Sequence, residues 1–256
     1  MSRRRQKWFL RIFLLSLLVT ALVLGISFYS NWRKYQRAAA THYPEFGIMI
    51  PDEYIIHGID VSRYQNIIAW EEVRKMQVRG VSMGFSYIKA TEGISNIDAR
   101  YDRNWKKAKD AGLYRGAYHF FIASKDGKMQ ARHFIGKVKL ETGDLPPVLD
   151  IEQLNGVQPE QLRKEALEFL QVLEEYYQVK PVIYTNVDFY DRYLGKPFDK
   201  YPLWVAHYYQ SNEPRIRRGW SLWQHNDEGR VNGITTRVDF NVFNGDSLSF
   251  REFLIK

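Results

Sequence analysis

The sequence predicts an α/β fold: a distorted TIM-like (β/α) barrel with fewer than eight helices, preceded by one N-terminal transmembrane helix. Short apolar runs alternate with stretches of helical periodicity over about 190 residues, and a parallel sheet of that length in one domain closes most readily into a barrel. The final third of the chain is rich in apolar runs but poor in helical stretches. We therefore do not expect a regular eightfold repeat.

The N-terminal helix is predicted from an uninterrupted apolar run. From Ile12 to Tyr29 the chain carries no charged residue, and this run approaches the ~20 residues that a helix needs to cross a bilayer. A cleaved signal peptide is the alternative, because Ala38-Ala39-Ala40 resembles a small-residue cleavage site. The run is longer than the usual ~7 to 15 residues of a signal-peptide core, and basic residues separate it from these alanines, which favours an anchor.

Basic residues are concentrated near the N-terminus. Residues 1–44 hold eight Lys and Arg residues and no acidic one, which accounts for the whole formal charge of +8. The rest of the chain is neutral, so its charge gives no reason to expect nucleic acid as a partner. Five basic residues precede the apolar run and three follow it. The positive-inside rule therefore predicts a single-pass membrane protein with a cytoplasmic N-terminus and its large domain on the outer side, periplasmic or extracellular.

Composition divides the chain into three parts. Residues 1–30 form the basic segment and the anchor, residues 31–53 are polar and aromatic with two prolines and predict a stalk, and residues 54–256 form the barrel. The chain has no cysteine, which excludes disulfides, thiolate nucleophiles and Cys-based zinc sites. None of its histidines belongs to a recognised ligand motif such as His-Glu-x-x-His, so we expect neither a metal ion nor another cofactor.

Each predicted strand is a short apolar run bounded by turn residues, and each predicted helix follows the 3.6-residue period. Strands are expected at residues 55–61, 81–88, 116–121, 147–151, 182–185, 203–206, 221–224 and 238–241. Helices are expected at residues 70–77, 100–111, 128–138 and 159–177, with a short helix after Asn186. The longest helix begins with Pro159, which suits its first turn.

Four acidic residues fall at the ends of predicted strands or within the last one, where a barrel carries its chemistry. Asp60 ends the first strand, Asp150 and Glu152 end the fourth, and Asp239 lies in the last. Asp150 and Glu152 are two residues apart, which on an extended chain places both side chains on one face with Cα atoms roughly 6.6 Å apart. Taken alone, an Asp-x-Glu sequence is more often a solvated strand end, but the additional acids favour a shared opening.

Such a group of carboxylates suits glycoside hydrolysis. The leaving oxygen must be protonated while positive charge grows on the anomeric carbon, and this requires one protonated and one ionised carboxyl group. Crowding raises the pKa of one carboxyl group, so Glu152 beside Asp60 and Asp150 can serve as the acid near neutral pH.

Four further residues near strand ends are candidates for binding a sugar. Tyr118, Tyr184 and Trp204 can form a sugar platform or orient a carboxylate, with core packing as the alternative. Lys89 can balance the charge of the acids, with exposure to solvent as the alternative.

A resemblance to a known enzyme family covers about residues 56–245. The matching blocks include Gly58-Ile59-Asp60-Val61-Ser62, Tyr87 to Gly93, Gly116 to Phe120, Asp150-Ile151-Glu152, Ile183 to Asn186, Leu203 to Ala206, Trp223-Gln224 and Val238 to Phe243. In this order they resemble glycoside hydrolase family 25, the Chalaropsis-type lysozymes. Two departures lie near the first strand: Asn66 stands where the family commonly has Gly, and Arg63-Tyr64 replaces a frequent His-Trp pair.

The resemblance implies an N-acetylmuramidase that cleaves the β-1,4 bond between N-acetylmuramic acid and N-acetylglucosamine in peptidoglycan strands. It implies Glu152 as the general acid and Asp150, Asp60 and Asp239 as its acidic companions. Asp150 either attacks the sugar directly or orients the substrate's own N-acetyl group as nucleophile, and the sequence leaves both routes open. Two other functions stay as alternatives: a non-catalytic peptidoglycan-binding module tethered to the membrane, and an endoglycosidase acting on chitin-like glycans. The sequence names no protein partner.

Overall fold

The computed structural model describes residues 3–37 and 40–256, which belong to two compact units divided after residue 39. The first unit is helix α1 (Arg3–Arg37). Its stretch Ile12–Tyr29 has a mean hydropathy of 2.4 and lies near the N-terminus, so this helix is long and apolar enough to cross a membrane. The helix also includes residues 31–37, which had been expected to begin the stalk.

The second unit contains the remaining helices and all the strands of the part of the chain that the structure describes. The strands are β1 (Ala40–Tyr43), β2 (Ile48–Pro51), β3 (His57–Val61), β4 (Gln77–Val78), β5 (Val81–Glu92), β6 (Asn96–Ile97), β7 (Tyr114–Phe120), β8 (Val148–Asp150), β9 (Val182–Asn186), β10 (Leu203–Ala206), β11 (Leu222–Gly229) and β12 (Val238–Phe243). The helices are α2 (Trp70–Lys75), α3 (Tyr101–Asp110), α4 (Gly127–Lys137), α5 (Pro159–Tyr177), α6 (Val187–Phe189) and α7 (Ser247–Phe253).

Eight strands close into a barrel. They pair in the order β3-β12-β11-β10-β9-β8-β7-β5, and β5 pairs with β3 to complete the ring. The predicted distorted barrel with fewer than eight helices is confirmed. The expectation of a parallel sheet is wrong for one strand: β12 is antiparallel to both β11 and β3. The short connection after Gly229 explains this, because a parallel crossover needs a dozen or more residues.

Helices pack on the outside of the barrel, and the longest of them is α5, whose predicted bounds are confirmed. Its apolar face, including Leu162, Phe169 and Leu173, is fully buried in the main core of the unit, while Pro159 occupies the first turn. The helix ends at Tyr177 and is capped by Gln178, which adopts the left-handed conformation with φ +56°. This helix and α4 cover the central parallel strands.

A β-hairpin occupies much of the segment 31–53 that the sequence predicts as a stalk. Residues 40–51 form the antiparallel pair β1–β2 and belong to the folded unit. Phe46 is fully buried, packs edge-on against Phe240 at 5.3 Å between ring centroids, and accepts a backbone hydrogen bond from Arg230 (2.9 Å). The hairpin thus covers β11 and β12, which no helix connects. Residues 38 and 39, including part of the Ala38-Ala39-Ala40 sequence, lie outside the described residues.

Helix α7 closes the end of the barrel opposite to the carboxyl ends of the parallel strands. The Phe250 ring packs against Phe85 at 5.9 Å and Phe243 at 5.1 Å, and Leu254 belongs to the same buried cluster. This end of the barrel is therefore filled by apolar side chains. The opposite end, at the carboxyl ends of the parallel strands, carries the acidic residues described next, and we call it the upper opening.

Candidate active site

The upper opening of the barrel contains a pocket of about 290 Å³. All of the residues predicted as catalytic or substrate-binding line it: Asp60, Lys89, Tyr118, Asp150, Glu152, Tyr184, Trp204 and Asp239. The convergence of four carboxyl groups, inferred from strand ends, is thus observed in the structure.

Strand topology explains how the acids meet. Asp60 lies near the end of β3, and Asp239 lies near the beginning of β12, directly opposite to it in the register. Because β12 is antiparallel, its first residues share the opening with the last residues of the parallel strands. On the other side, β8 ends at Asp150, and the chain stays extended because the Ile151 N–H donates to the Tyr184 carbonyl (2.9 Å). The side chains of Asp150 and Glu152 therefore project into the same pocket.

Asp60 is held by two amide side chains. Its Oδ2 accepts hydrogen bonds from Gln224 Nε2 (2.8 Å) and Asn241 Nδ2 (2.7 Å). Burial raises the pKa of Asp60 to about 6, and the two donors oppose this rise by stabilising the carboxylate. Asp60 is therefore ionised at neutral pH.

Asp239 is the protonated partner of Asp60. Burial raises the pKa of Asp239 to about 9, and the negative charge of Asp60 adds to the rise. The two groups share a hydrogen bond, in which the protonated Asp239 is the donor. Between about pH 6 and about pH 9 the pair therefore holds one proton and one negative charge.

Asp150 and Glu152 form the second pair of acids. Burial raises the pKa of Asp150 well above its usual value, and the charge of Glu152 adds to this. Burial also raises the pKa of Glu152, while Lys89 lowers it. The buried Oδ1 of Asp150 makes no hydrogen bond to any residue that the structure describes, whereas Glu152 is half-buried and faces the pocket.

Lys89 is the cation of the pocket lining. Its Nζ forms a salt bridge with Glu92 (2.6 Å) and lies 4.6 Å from the centroid of the Phe120 ring. Its charge lowers the pKa of both Asp150 and Glu152. This position fits the expectation of charge balance better than that of a side chain pointing to solvent, since only 15 % of the Lys89 side chain is exposed.

Trp204 lines the pocket and packs between two tyrosines. Trp204 stacks on Tyr87 (4.8 Å), receives the edge of Tyr184 (4.6 Å) and donates from Nε1 to Asn241 Oδ1 (2.7 Å). Only 2 % of Trp204 is exposed, so the structure favours the core-packing alternative over an open sugar platform. Through Asn241, Trp204 orients the donor to Asp60.

Three site residues, Gln224, Asn241 and Tyr208, were not predicted from the sequence. The hydroxyl groups of Tyr184 and Tyr208 both donate to Gln224 Oε1 (2.7 and 2.6 Å), which turns the Gln224 amide nitrogen towards Asp60. A signal was present, because Gln224 and Asn241 are polar residues inside apolar strand patterns. Such residues are buried only with hydrogen-bond partners.

Comparisons with known proteins match this geometry. The sequence pattern of Glycosyl hydrolases family 25 fits residues 59–234, which is more than half of the chain. The chain belongs to this family. Lysozyme M1 of Streptomyces globisporus is 35 % identical over 208 residues, covering 75 % of this chain and 69 % of the lysozyme. The family 25 glycosyl hydrolase from Bacillus anthracis has a structure that superposes with a TM-score of 0.73 at 31 % identity, covering 84 % of this chain and 97 % of that one.

A further relative is the protein YegX of Escherichia coli (strain K12). It is 44 % identical over 209 residues, covering 82 % of this chain and 77 % of its own length.

The departures from the family 25 pattern lie in one loop, Ser62–Asn66, which we call the rim loop. Asn66 has φ +54° and ψ −124°, a conformation that glycine adopts far more easily than other residues. The Asn66 Oδ1 accepts a hydrogen bond from Arg100 Nη2 (2.6 Å). Tyr64 lines the pocket and is 71 % exposed.

His119 is a buried histidine with a structural role. Within residues 3–37 and 40–256, no group of three or more His, Asp or Glu side chains is arranged to hold a metal ion. His119 is fully buried, its Nδ1 hydrogen-bonds Thr91 Oγ1 (2.7 Å) and its Nε2 hydrogen-bonds Gln130 Oε1 (3.2 Å). Burial lowers the pKa of His119 to about 3, so its ring is neutral.

Proposed function

We propose that this family 25 enzyme is a lysozyme that cleaves the β-1,4 bond between N-acetylmuramic acid and N-acetylglucosamine in peptidoglycan. The observation that carries the proposal is the set of four carboxyl groups in one pocket: burial raises the pKa of all four, and two amide donors stabilise the carboxylate form of one, Asp60. Glycoside hydrolysis needs both forms at once. The similarity to Lysozyme M1 supports the same substrate class.

Glu152 serves as the general acid. Burial raises its pKa and so favours the protonated form, and its half-buried side chain faces the pocket, where a glycosidic oxygen would lie. The charge of Lys89 opposes this rise by favouring the carboxylate that remains after the proton has passed to the leaving sugar. Replacement of Glu152 by Gln keeps the shape of the side chain but removes this proton.

Asp60 and Asp239 stabilise the positive charge that develops on the sugar. Their single shared negative charge is fixed at one position by Gln224 and Asn241, so no reorganisation is needed as the bond breaks. Asp150, whose Oδ1 is free of hydrogen bonds to the described residues, either attacks the anomeric carbon or orients the N-acetyl group of the substrate. A thiazoline mimic of the cyclised N-acetyl group would inhibit the enzyme strongly on the second route only.

The products of digestion test this proposal. Purified wild-type protein is incubated with peptidoglycan and with chitin, and the new reducing ends are reduced with borohydride and identified by mass spectrometry. We expect soluble muropeptides that end in N-acetylmuramitol. N-acetylglucosaminitol ends, or turnover of chitin alone, would favour the chitin-type alternative, and binding without release of any fragment would favour the non-catalytic module.

We propose that α1 anchors the enzyme in the cytoplasmic membrane, with its N-terminus in the cytoplasm and the barrel on the outer side. The support is the apolar stretch Ile12–Tyr29 and the basic excess in front of it. N-terminal sequencing of the protein from membranes should recover the residues of α1. Recovery of a soluble form that begins near Ala40 would instead identify the segment as a cleaved signal peptide.

A further inference from the structure

We propose that Arg63, Arg100 and Arg237 form a binding site for the carboxylate groups of the peptide stems that peptidoglycan carries, and that this site makes the enzyme prefer stem-bearing glycan. We call these residues the arginine cluster. The inference rests on the proposed function, since it names a substrate feature recognised beside the same pocket.

The arginine cluster is assembled from three separate segments around the rim loop. Arg63 belongs to the loop, and its guanidinium carbon lies 5.5 Å from the centroid of the Tyr64 ring. Arg100 donates to Asn66 at the end of the loop (2.6 Å). Arg237 is held by its carbonyl group, which accepts from Gln65 Nε2 (3.1 Å). Ser62, Tyr64 and Gln65 of the same loop line the catalytic pocket.

The charge of the arginine cluster is not neutralised by ion pairs. In the described part of the chain, no carboxylate lies within salt-bridge distance of these three guanidinium groups. Asp98 contacts the backbone of two of these arginines: its oxygens accept hydrogen bonds from the N–H groups of Arg63 (2.9 Å) and Arg100 (2.8 Å). The Arg237 guanidinium donates to the neutral carbonyl of Glu228 (2.9 Å).

The chemistry of the cluster fits a carboxylate ligand. Cleavage of the glycosidic bond uses the acids inside the pocket and has no need for cations on the rim. Alternate sugars of a peptidoglycan strand carry a lactyl group extended by a peptide with free carboxylates, and a guanidinium group binds a carboxylate through two parallel hydrogen bonds. Chitin has the same backbone linkage and no carboxylate. The cluster therefore distinguishes the two glycans at a point away from the bond that breaks.

The test compares two arginine variants on two glycans. Arg63 and Arg237 are exposed, so a double Arg63→Ala/Arg237→Ala variant should fold normally. Arg251→Ala is the matched control, because this exposed arginine lies on α7 at the opposite end of the barrel. The glycans are stem-bearing strands and the same strands after an amidase has removed the stems, which leaves only the lactyl carboxylate.

We expect the double variant to raise KM for stem-bearing strands roughly tenfold with little change in kcat, as two exposed charge contacts are lost. The effect on stem-free strands should be about twofold or less, and Arg251→Ala should change neither. High salt should bring the wild-type protein close to the double variant on stem-bearing strands. An equal loss on both glycans, or no loss relative to Arg251→Ala, would overturn the inference.

Binding separates this inference from the proposed catalysis. Glu152→Gln protein, with and without the two arginine substitutions, is co-sedimented with each glycan in the absence of turnover. Weaker sedimentation of the arginine variant with stem-bearing strands alone would support stem recognition even if hydrolysis were not observed. Identical sedimentation of both proteins with both glycans would refute it.

Discussion

Replacement of Gln224 by Met should move the acid limb of the pH–activity profile upward. Gln224 Nε2 is one of two donors to Asp60 Oδ2, the other being Asn241 Nδ2. A hydrogen bond to a charged group contributes ~1.5–3 kcal/mol, and ~1.4 kcal/mol corresponds to one pKa unit. Because water in the pocket replaces part of the lost bond, we expect the lower end of this range, about one unit.

The direction of this shift follows from the form of Asp60 that the reaction needs. Asp60, with a pKa of about 6, is needed as a carboxylate, and activity is lost as pH falls through that value. Loss of a donor destabilises the carboxylate and raises this pKa further. The profile of kcat/KM against pH, measured by release of reducing ends, should therefore fall several-fold at pH near 6 and change little at pH near 8. Asn241→Leu should shift the limb in the same direction, and an unmoved or lowered limb in both variants would refute the assigned role of Asp60.

Two further predictions concern stability. Asp239→Asn should reduce activity yet raise the unfolding temperature at pH 8. The pKa of Asp239 is about 9 in the folded protein and 3.8 in the unfolded chain, so unfolding between these pH values releases a proton and the free energy of unfolding falls as pH rises. The Asn side chain has no proton to release and avoids this loss. Calorimetry at pH 5 and pH 8 checks this, and a variant with the wild-type pH dependence would contradict the protonated state of Asp239. Phe46→Ala should destabilise the barrel by about 3–5 kcal/mol, because Phe46 is fully buried against Phe240. The control is Met49→Ala, because Met49 is exposed. If Phe46→Ala lowers the free energy of urea unfolding by less than ~1 kcal/mol, residues 40–51 behave as a stalk.

Much of the barrel and of its site follows from local patterns. Short apolar runs predicted the strands that carry Asp60 and Asp150, and the rule that barrel chemistry lies at strand ends predicted that these acids meet. The two-residue spacing of Asp150 and Glu152 was enough to place both in one pocket. Trp204 was ambiguous, because an aromatic residue at a strand end suits both a core and a sugar platform.

The features that were missed depend on the length of a connection or on contacts distant in sequence. Strand β12 reverses direction because its connection is short, a property of chain length between strands rather than of apolar spacing. The hairpin at 40–51 is stabilised by packing on Phe240, about 190 residues away, and its own short strands carry little periodic signal. Helix α7 is only seven residues long and is fixed by the barrel end that it fills.

The central claim, that Glu152 donates the proton to the leaving sugar, is tested most directly by dependence on the leaving group. Glu152→Gln and the exposed control Glu160→Gln are assayed on peptidoglycan and on an aryl glycoside whose phenol leaves without protonation. Glu152→Gln should lose about 10²–10⁴-fold in turnover of peptidoglycan but far less on the aryl glycoside, while Glu160→Gln stays at the wild-type level on both. A folded Glu152→Gln protein that retains peptidoglycan turnover, or that loses both substrates equally, would contradict this role for Glu152.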